Sequence, residues 1–434
     1  MKFSKVVKIA LVSVQKDKEG NEMDYKTICQ ILWELQRETR EIRNKSIQYC
    51  WEFSNFSSDY KKEYLEYPKP KDVLNYASID GYVYDKLKEN SSLHTNNFST
   101  STRDAIKKYK NLTKDILSGK CSIPEYKNNQ PLDLHNKCIG IDKIKDCYYI
   151  TLKLLNKKGK EKYDFGSSSI KFKALVKDNS TKTIISRLLN GEYKIGASKL
   201  IYNQKKKQWF LNLTYNFESE VTTELDEDKI LGVDLGINCP FCASVYGSKK
   251  RLMIPKDEIE HFRNTVEVRR KALLKQGPFC GEGRVGHGRN TRNKPAYDIG
   301  NKVARFRDTV NHKYSRELVN YAVKNHCGVI QMEDLTGINK DSDKTFLRNW
   351  SYYDLQTKIE YKAKEAGIKV KYINPMYTTQ RCCKCGHIES DNVKKHQRFA
   401  CSKCGYTENA DYNASQNIAM PDVEEKVAES LKVS

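Results

Sequence analysis

Two Cys-x-x-Cys pairs constrain this chain more than any other feature: Cys382 and Cys385, then fifteen residues, then Cys401 and Cys404. Four thiolates at this spacing close a tetrahedral shell around Zn2+, and a glycine after each pair, Gly386 and Gly405, lets the backbone wrap the ion. A structural zinc ribbon is expected over 381–404. Cys383 adds a small ambiguity, but only Cys382 and Cys385 leave the usual two-residue gap. Lys384, Lys394, Lys395, Arg398 and Lys403 surround the ribbon and favour contact with phosphates. Cys239 and Cys242 have the same spacing without a second pair, directly after an apolar strand, and are expected in the core, where cysteine is common.

The charge points the same way. The 434 residues carry 77 Lys+Arg against 55 Asp+Glu, a net charge of +22. That excess exceeds what solubility needs and suits a polyanion, most often nucleic acid. It is uneven: +1 over residues 1–100, +13 over 101–220 and +8 over 221–434. The basic stretch 101–220 is therefore the expected RNA platform. No run approaches the ~20 apolar residues that span a bilayer. Met1–Val14 imitates a signal peptide, but Lys8 interrupts it and a first β-strand is expected instead. A cytoplasmic protein with reduced cysteines follows.

The pattern divides the chain. Strand 3–14 opens a β-rich body that resumes near 145 with Cys147–Leu155, Ser168–Val176, Ala197–Tyr202 and Trp209–Phe217. Between them lies a helical insertion. It contains an amphipathic helix over 25–50, with Ile28, Ile31, Leu32, Leu35, Ile42 and Tyr49 on one stripe, then shorter pieces broken by Pro68, Pro70 and the polar run Asn90–Thr102. After an acidic linker at Glu218–Asp228, buried-type strands (Lys229–Asn238, Gly328–Met332, Ile368–Ile373) alternate with helices (Glu258–Leu274, Ile299–Val323), which implies an α/β layer. The basic, glycine-rich segment Gly277–Lys294 reads as a mobile loop.

Three acids stand in this α/β unit. Asp234 lies in the apolar strand ILGVDLGIN, Glu333 ends GVIQME, and Asp411 starts a helix just after the ribbon. Hydrolysis of a phosphodiester by two divalent ions about 4 Å apart needs such carboxylates on a rigid sheet. Asp334 competes with Glu333, and strand alternation directs only one of them into the site. VDLG also occurs in sugar-kinase and actin-like ATPases, but the second phosphate loop of that class has no convincing counterpart here.

The order GVDLGIN, VIQMEDL, TTQRCCKCG, FACSKCGYTENADYNASQNIA resembles the RuvC-type nuclease unit of transposon-encoded TnpB proteins and of the miniature type V-F CRISPR effectors. The likeness covers about 230–420. The long helical insertion and the region 277–294 fit subtype V-F better than TnpB. The resemblance implies a multidomain α+β protein: an OB-like β-barrel wedge domain (1–20 and 119–220), a helical recognition insertion (21–118), an RNase H-like (RuvC) α/β domain (221–380 and 405–434) and the zinc-ribbon module (381–404). It implies Asp234, Glu333 and Asp411 as catalytic acids on two Mg2+ ions, and Cys382, Cys385, Cys401 and Cys404 as zinc ligands. It further implies an RNA-guided endonuclease cutting both strands of target DNA beside a short, T-rich flanking motif, and an asymmetric homodimer on one guide RNA. TnpB itself, an RNA-guided protein that binds without cutting, and a guide-free resolvase or transposase are the rival readings.

Expected nucleic-acid contacts are Lys205, Lys206 and Lys207 on a turn beside Trp209, and Arg284, Arg289 and Arg292 with Lys294 on the mobile loop. Lys157, Lys158, Lys160 and Lys162 form a second cluster on an expected hairpin turn. Trp350, Tyr352 and Tyr353 suit base stacking, with at least one of them in the core, and Tyr82 and Tyr84 are candidates for flanking DNA.

Overall fold

The computed structural model describes residues 2–17, 19–218, 224–236, 239–255, 257–276, 289–335, 352–394 and 397–433. The chain separates into two compact units, Met1–Ser219 and Glu220–Ser434. Among the described residues no helix is long and apolar enough to cross a membrane.

The first unit is one antiparallel sheet with helices inserted after its first strand. Strand β1 (Lys2–Ser13) leads into helices α1 (Tyr25–Tyr64), α2 (Pro70–Leu74), α3 (Ile79–Lys88) and α4 (Thr95–Leu117). Then follow β2 (Leu132–Leu134), β3 (Ile139–Ile144), β4 (Cys147–Lys153), helix α5 (Lys157–Lys162), β5 (Ser169–Leu175), helix α6 (Asn179–Leu189), β6 (Lys194–Ile195), β7 (Ser198–Asn203) and β8 (Gln208–Glu218). The strand order is β2-β7-β8-β1-β5-β4-β3, with β6 beside β8. Its end strands β2 and β3 are joined by residues 135–138 alone. Such a link reaches at most ~18 Å, whereas seven flat strands would hold their edges ~29 Å apart. The sheet therefore curls until its edges approach one another. Alternation supplies its core: Ile170, Phe172 and Ala174 of β5 meet Ile9, Leu11, Leu211 and Leu213, together with Ile28, Leu32 and Leu35 of α1.

Helical content exceeds the sequence expectation in three places. Helix α1 runs on to Tyr64, although no residue after Cys50 is buried. The apolar stripe ends at 50, but no glycine or proline stops the helix before Pro68. The polar run 90–102 is not a break, because from Thr95 it is α4. Its polar side chains turn inward, where Asn97 donates to the Lys153 carbonyl at 2.9 Å and Ser101 donates to Asp133 at 2.9 Å. Lys157–Lys162 is a short helix rather than a hairpin turn, capped by Asn156, whose Oδ1 accepts the Gly159 N–H at 2.8 Å.

The second unit holds β9 (Asp226–Asp234), β10 (Cys242–Val245), β11 (Arg251–Met253), α7 (Asp257–Gln276), α8 (Arg289–Lys324), β12 (Cys327–Glu333), α9 (Tyr352–Glu365) and β13 (Lys369–Ile373). The ribbon strands β14 (Val393–Lys394), β15 (Arg398–Ala400) and β16 (Thr407–Asn409) precede α10 (Ala410–Ile418) and α11 (Val423–Val433). The main sheet is ordered β11-β10-β9-β12-β13, antiparallel from β11 to β9 and parallel from β9 to β13. One face, with Leu231, Val233, Ala243, Ile330 and Met332, packs on Val310 and Leu318 of α8 and Leu355 and Ile359 of α9. The other face receives α10. The ribbon is a separate three-stranded sheet that reaches Asn409, a few residues beyond the expected boundary at 404. Residues 289–294, expected in a loop, form the start of α8.

Candidate active site and metal centre

The register of the sheet aligns two of the three acids. Met332 pairs with Val233 in the parallel ladder of β9 and β12, which sets Glu333 beside Asp234 at the ends of adjacent strands. Side chains in one cross-strand row share a face. Asp234 and Glu333 accordingly lie on the α10 face, and both are buried, 9% and 8% exposed. Asp334 is exposed, so of the two neighbouring acids it is Glu333 whose side chain turns to the α10 face. Asp411, in the first turn of α10, is the third member. Burial first, then the charges of Glu333 and Asp411, push the Asp234 carboxyl well above the ordinary carboxylate range. Burial also raises Glu333, partly offset by a hydrogen bond from Thr378, and burial raises Asp411. Asp234 and Glu333 are buried and Asp411 half-buried, and a cation among them would offset the repulsion that Glu333 and Asp411 exert on Asp234.

Helix α10 reaches this position because Gly232 on β9 has no side chain. A Cβ there would fall 2.2 Å from the Ser415 carbonyl oxygen and 2.3 Å from the Ala419 nitrogen. The buried polar side chains of α10 then bind it on both sides. Ser415 shares a 2.7 Å hydrogen bond with Ser244, and Gln416 donates to the Val245 carbonyl at 3.0 Å. Asn413 and Asn417 donate to the Arg381 carbonyl at 2.8 and 2.6 Å, tying the helix to the start of the ribbon. Gln331 of β12 donates to the Ile418 carbonyl at the helix end. These residues form no motif; their only sequence signal is a run of Asn, Ser and Gln within a helix flanked by alanines and isoleucine.

Two further side chains hold the acids themselves. Thr378 lies with its Oγ1 2.5 Å from Glu333 Oε1 and 3.0 Å from the Pro375 carbonyl. Gln397 donates from Nε2 to Asp411 Oδ2 at 3.2 Å, and its own carbonyl accepts the Ala410 N–H at 2.7 Å. Neither residue carries a sequence signal.

The four ribbon thiols converge. Cys382 Sγ lies 3.8 Å from Cys404 Sγ, and Cys385 Sγ 3.6 Å from Cys401 Sγ. A tetrahedron with Zn–S bonds of ~2.3 Å requires S···S separations of ~3.8 Å, far longer than a disulfide. Among the described residues these are the one His/Cys/Asp/Glu group with ligand atoms all within 4.8 Å of one another. The donor set fits Zn2+. Backbone hydrogen bonding from Tyr406 leads the causes that lower the Cys404 thiol to about 7. Cys239 behaves oppositely: burial pushes it up to about 12, and its thiol lies 2.9 and 3.1 Å from the Phe241 and Ile254 carbonyls. Cys242 is likewise buried and raised. This pair belongs to the core, as expected.

Residues 352–418, which span α9, the ribbon and α10, match the family described as Cas12f1-like, TNB domain. Over the whole chain, a CRISPR-associated endodeoxyribonuclease Cas12f1 of Sulfoacidibacillus thermotolerans is 45% identical over 413 residues, covering 95% of this chain and 97% of that protein. The chain belongs to the Cas12f1 family. The fold agrees: the protein of a Cas12f1–sgRNA–target DNA complex solved by cryo-EM superposes with a TM-score of 0.70 at 22% identity, covering 97% of this chain and 99% of that one. By contrast, a TnpB-like protein of Methanocaldococcus jannaschii is 44% identical over 82 residues, 17% of this chain and 29% of that protein.

In this Cas12f1 family member the remaining candidates fall as follows. Lys205, Lys206 and Lys207 are exposed on the β7–β8 turn of the first unit. Arg284 and Trp350 lie outside the described residues. Arg289 and Arg292 sit in the first turns of α8 rather than in a loop. Tyr352 is buried at 4% exposure, whereas Tyr353 is 69% exposed and remains available for stacking. Tyr82 packs edge-on to Tyr49 and Tyr76, and Tyr84 to Phe98, so both rings are engaged within the helical insertion.

Proposed function

We propose that this protein is an RNA-guided, divalent-metal-dependent DNA endonuclease with its single hydrolytic site at Asp234, Glu333 and Asp411. The observation that carries the reading is the placement of two buried carboxylates, Asp234 and Glu333, on adjacent strands with half-buried Asp411 near them, the charges of Glu333 and Asp411 both opposing that of Asp234. Asp234, Glu333 and Asp411 are the residues that would hold the Mg2+ ions, Asp234 being the one that feels both other charges. When bound, the ions supply an activated water and stabilise the attacking and leaving oxygens of the phosphodiester. The chain's own contribution is rigidity: the sheet fixes Asp234 and Glu333 in register, and α10 presents Asp411 to them.

Membership of the Cas12f1 family, with the match running over 95% of the chain, supports a CRISPR guide rather than a transposon-derived one. The curled sheet of the first unit would be the wedge barrel, holding guide RNA on its basic strands and turns, and α1–α4 the recognition insertion. The second unit would be the RuvC-like domain carrying its zinc module. A short, T-rich flanking motif would be read by protein, the rest of the target by base pairing. An asymmetric homodimer on one guide RNA, in the prokaryotic cytoplasm, completes the proposal.

The test is a single preparation. Protein loaded with guide RNA cuts matching double-stranded DNA in Mg2+ and not in EDTA, and Asp234→Ala binds the target without cutting. Cutting by Asp234→Ala overturns the carboxylate site, and sequence-specific cutting without RNA overturns the guided reading.

A further inference from the structure

The two residues that grip the acids occupy equivalent places around the ribbon. Thr378 stands four residues before Cys382, and Gln397 four residues before Cys401, so each precedes the first thiol of a Cys-x-x-Cys pair by the same interval. Thr378 reaches Glu333, and Gln397 reaches Asp411. Both are held from behind. The Thr378 carbonyl accepts from Asn417 at 2.9 Å, and the Gln397 carbonyl accepts the first helical N–H of α10. Gln397 adopts φ 59°, a left-handed conformation uncommon for a residue with a side chain, and β15 begins at the next residue and leads directly into Cys401. A ribbon that served only to touch nucleic acid would have no need to extend a side chain to each of two catalytic carboxylates.

We propose that the zinc ribbon is a positioning device for the divalent-metal site: Thr378 and Gln397, fixed by the thiol pairs that follow them, hold Glu333 and Asp411 in the orientations that receive the ions. This rests on the nuclease reading above. The two side chains are positioning residues. A carboxylate released from its hydrogen bond must be re-ordered by the metal itself, which weakens metal binding without altering the chemistry at saturation.

Three variants of the full chain, each loaded with guide RNA, test this. Thr378→Val removes the hydroxyl at nearly constant shape, and Thr378→Ser retains it. Gln397→Gly suits the left-handed backbone and removes the amide together with its two methylenes. Half-saturating Mg2+ in single-turnover cleavage is expected to rise about tenfold in Thr378→Val and Gln397→Gly, as outer-shell partners typically cost. Maximal rates recover at high Mg2+, and Thr378→Ser stays near the wild-type midpoint. Mn2+ binding followed by electron paramagnetic resonance should shift in parallel, with one zinc per chain and unchanged target affinity throughout. Unshifted metal midpoints in both Thr378→Val and Gln397→Gly overturn the proposal. So does a rate loss that Mg2+ does not rescue in a variant with normal zinc. Should wild-type protein fail to cut at all, the nuclease reading falls, while the Mn2+ midpoints still decide the positioning role.

Discussion

Gly232 of β9 and Ser415 of α10 approach backbone to backbone, leaving no room for even a methyl group between them. The distance from the sheet to the helix that carries Asp411 is set at this contact. Gly232→Ala is expected to lift α10 at a cost of ~1–3 kcal/mol. Thermal unfolding should show a drop of several degrees, and cleavage should fall further than stability does because Asp411 moves with the helix. Wild-type cleavage by Gly232→Ala would mean that this spacing does not matter.

Asp234 makes the metal-free fold sensitive to pH. Its folded pKa is raised above the unfolded value near ~3.9. The folded state therefore holds a proton that the unfolded state has lost. Stability falls as pH rises from about 4 through the raised value, and the penalty is absent below about 4. In Mg2+-free buffer Asp234→Asn should melt higher than wild type at neutral pH, with the gain vanishing on acidification. Adding Mg2+ should stabilise wild type and leave the variant nearly unmoved. A gain independent of pH would contradict this account.

Neighbouring acids separate cleanly. Glu333 is buried beside Asp234, while Asp334 is exposed and donates its N–H to the Ile373 carbonyl at 2.8 Å. Glu333→Gln should slow cleavage by more than the ~10–100-fold that outer-shell partners cost. Asp334→Asn should retain most of the activity. The reverse order in a single-turnover assay would reassign the site.

Cysteines divide by environment rather than by spacing. Serine at Cys385 or Cys401 should lower zinc below one ion per chain and unfold the ribbon, since thiolate–metal binding is folding energy for such modules. Alanine at Cys239 should lower thermal stability and leave the zinc content intact. Zinc quantified by mass spectrometry distinguishes the two sets.

Alanines at Lys205, Lys206 and Lys207 together should weaken guide RNA binding and reduce the salt dependence of that binding, by up to ~2 in the log–log slope if all three contact phosphate. Thermal stability should not change, because the turn is exposed. An unaltered slope would place the RNA elsewhere.

Much of this architecture was legible because it is written in spacing and alternation. The zinc pairs declare themselves, and acids that end apolar strands are conspicuous. Asp234 and Glu333 were readable for that reason, and the register then explains why Glu333 rather than Asp334 turns inward. What escaped was polar structure inside the protein. Asn97 and Ser101 look like a surface run, yet they brace α4 against β4 and Asp133. Asn413, Ser415 and Asn417 are fully buried for the same kind of reason. A side chain whose partner lies elsewhere in the sequence leaves no periodic trace, and Thr378 and Gln397, whose partners are the carboxylates of Glu333 and Asp411, escape for the same reason.

The curled sheet also imposes an order of assembly. Its first strand is central, and β1 pairs along ten residues with β8, so that Lys2 faces Glu218. During synthesis at ~5–20 residues per second, β1 must wait roughly 10–40 s for that partner to emerge. Until then, the edge of this apolar strand that β8 will cover is open to neighbouring chains. Lys2, Lys5 and Lys8 interrupt it at regular intervals, and charge of that kind discourages pairing between strands of different molecules. The same lysines would thus guard the nascent chain before any nucleic acid is bound.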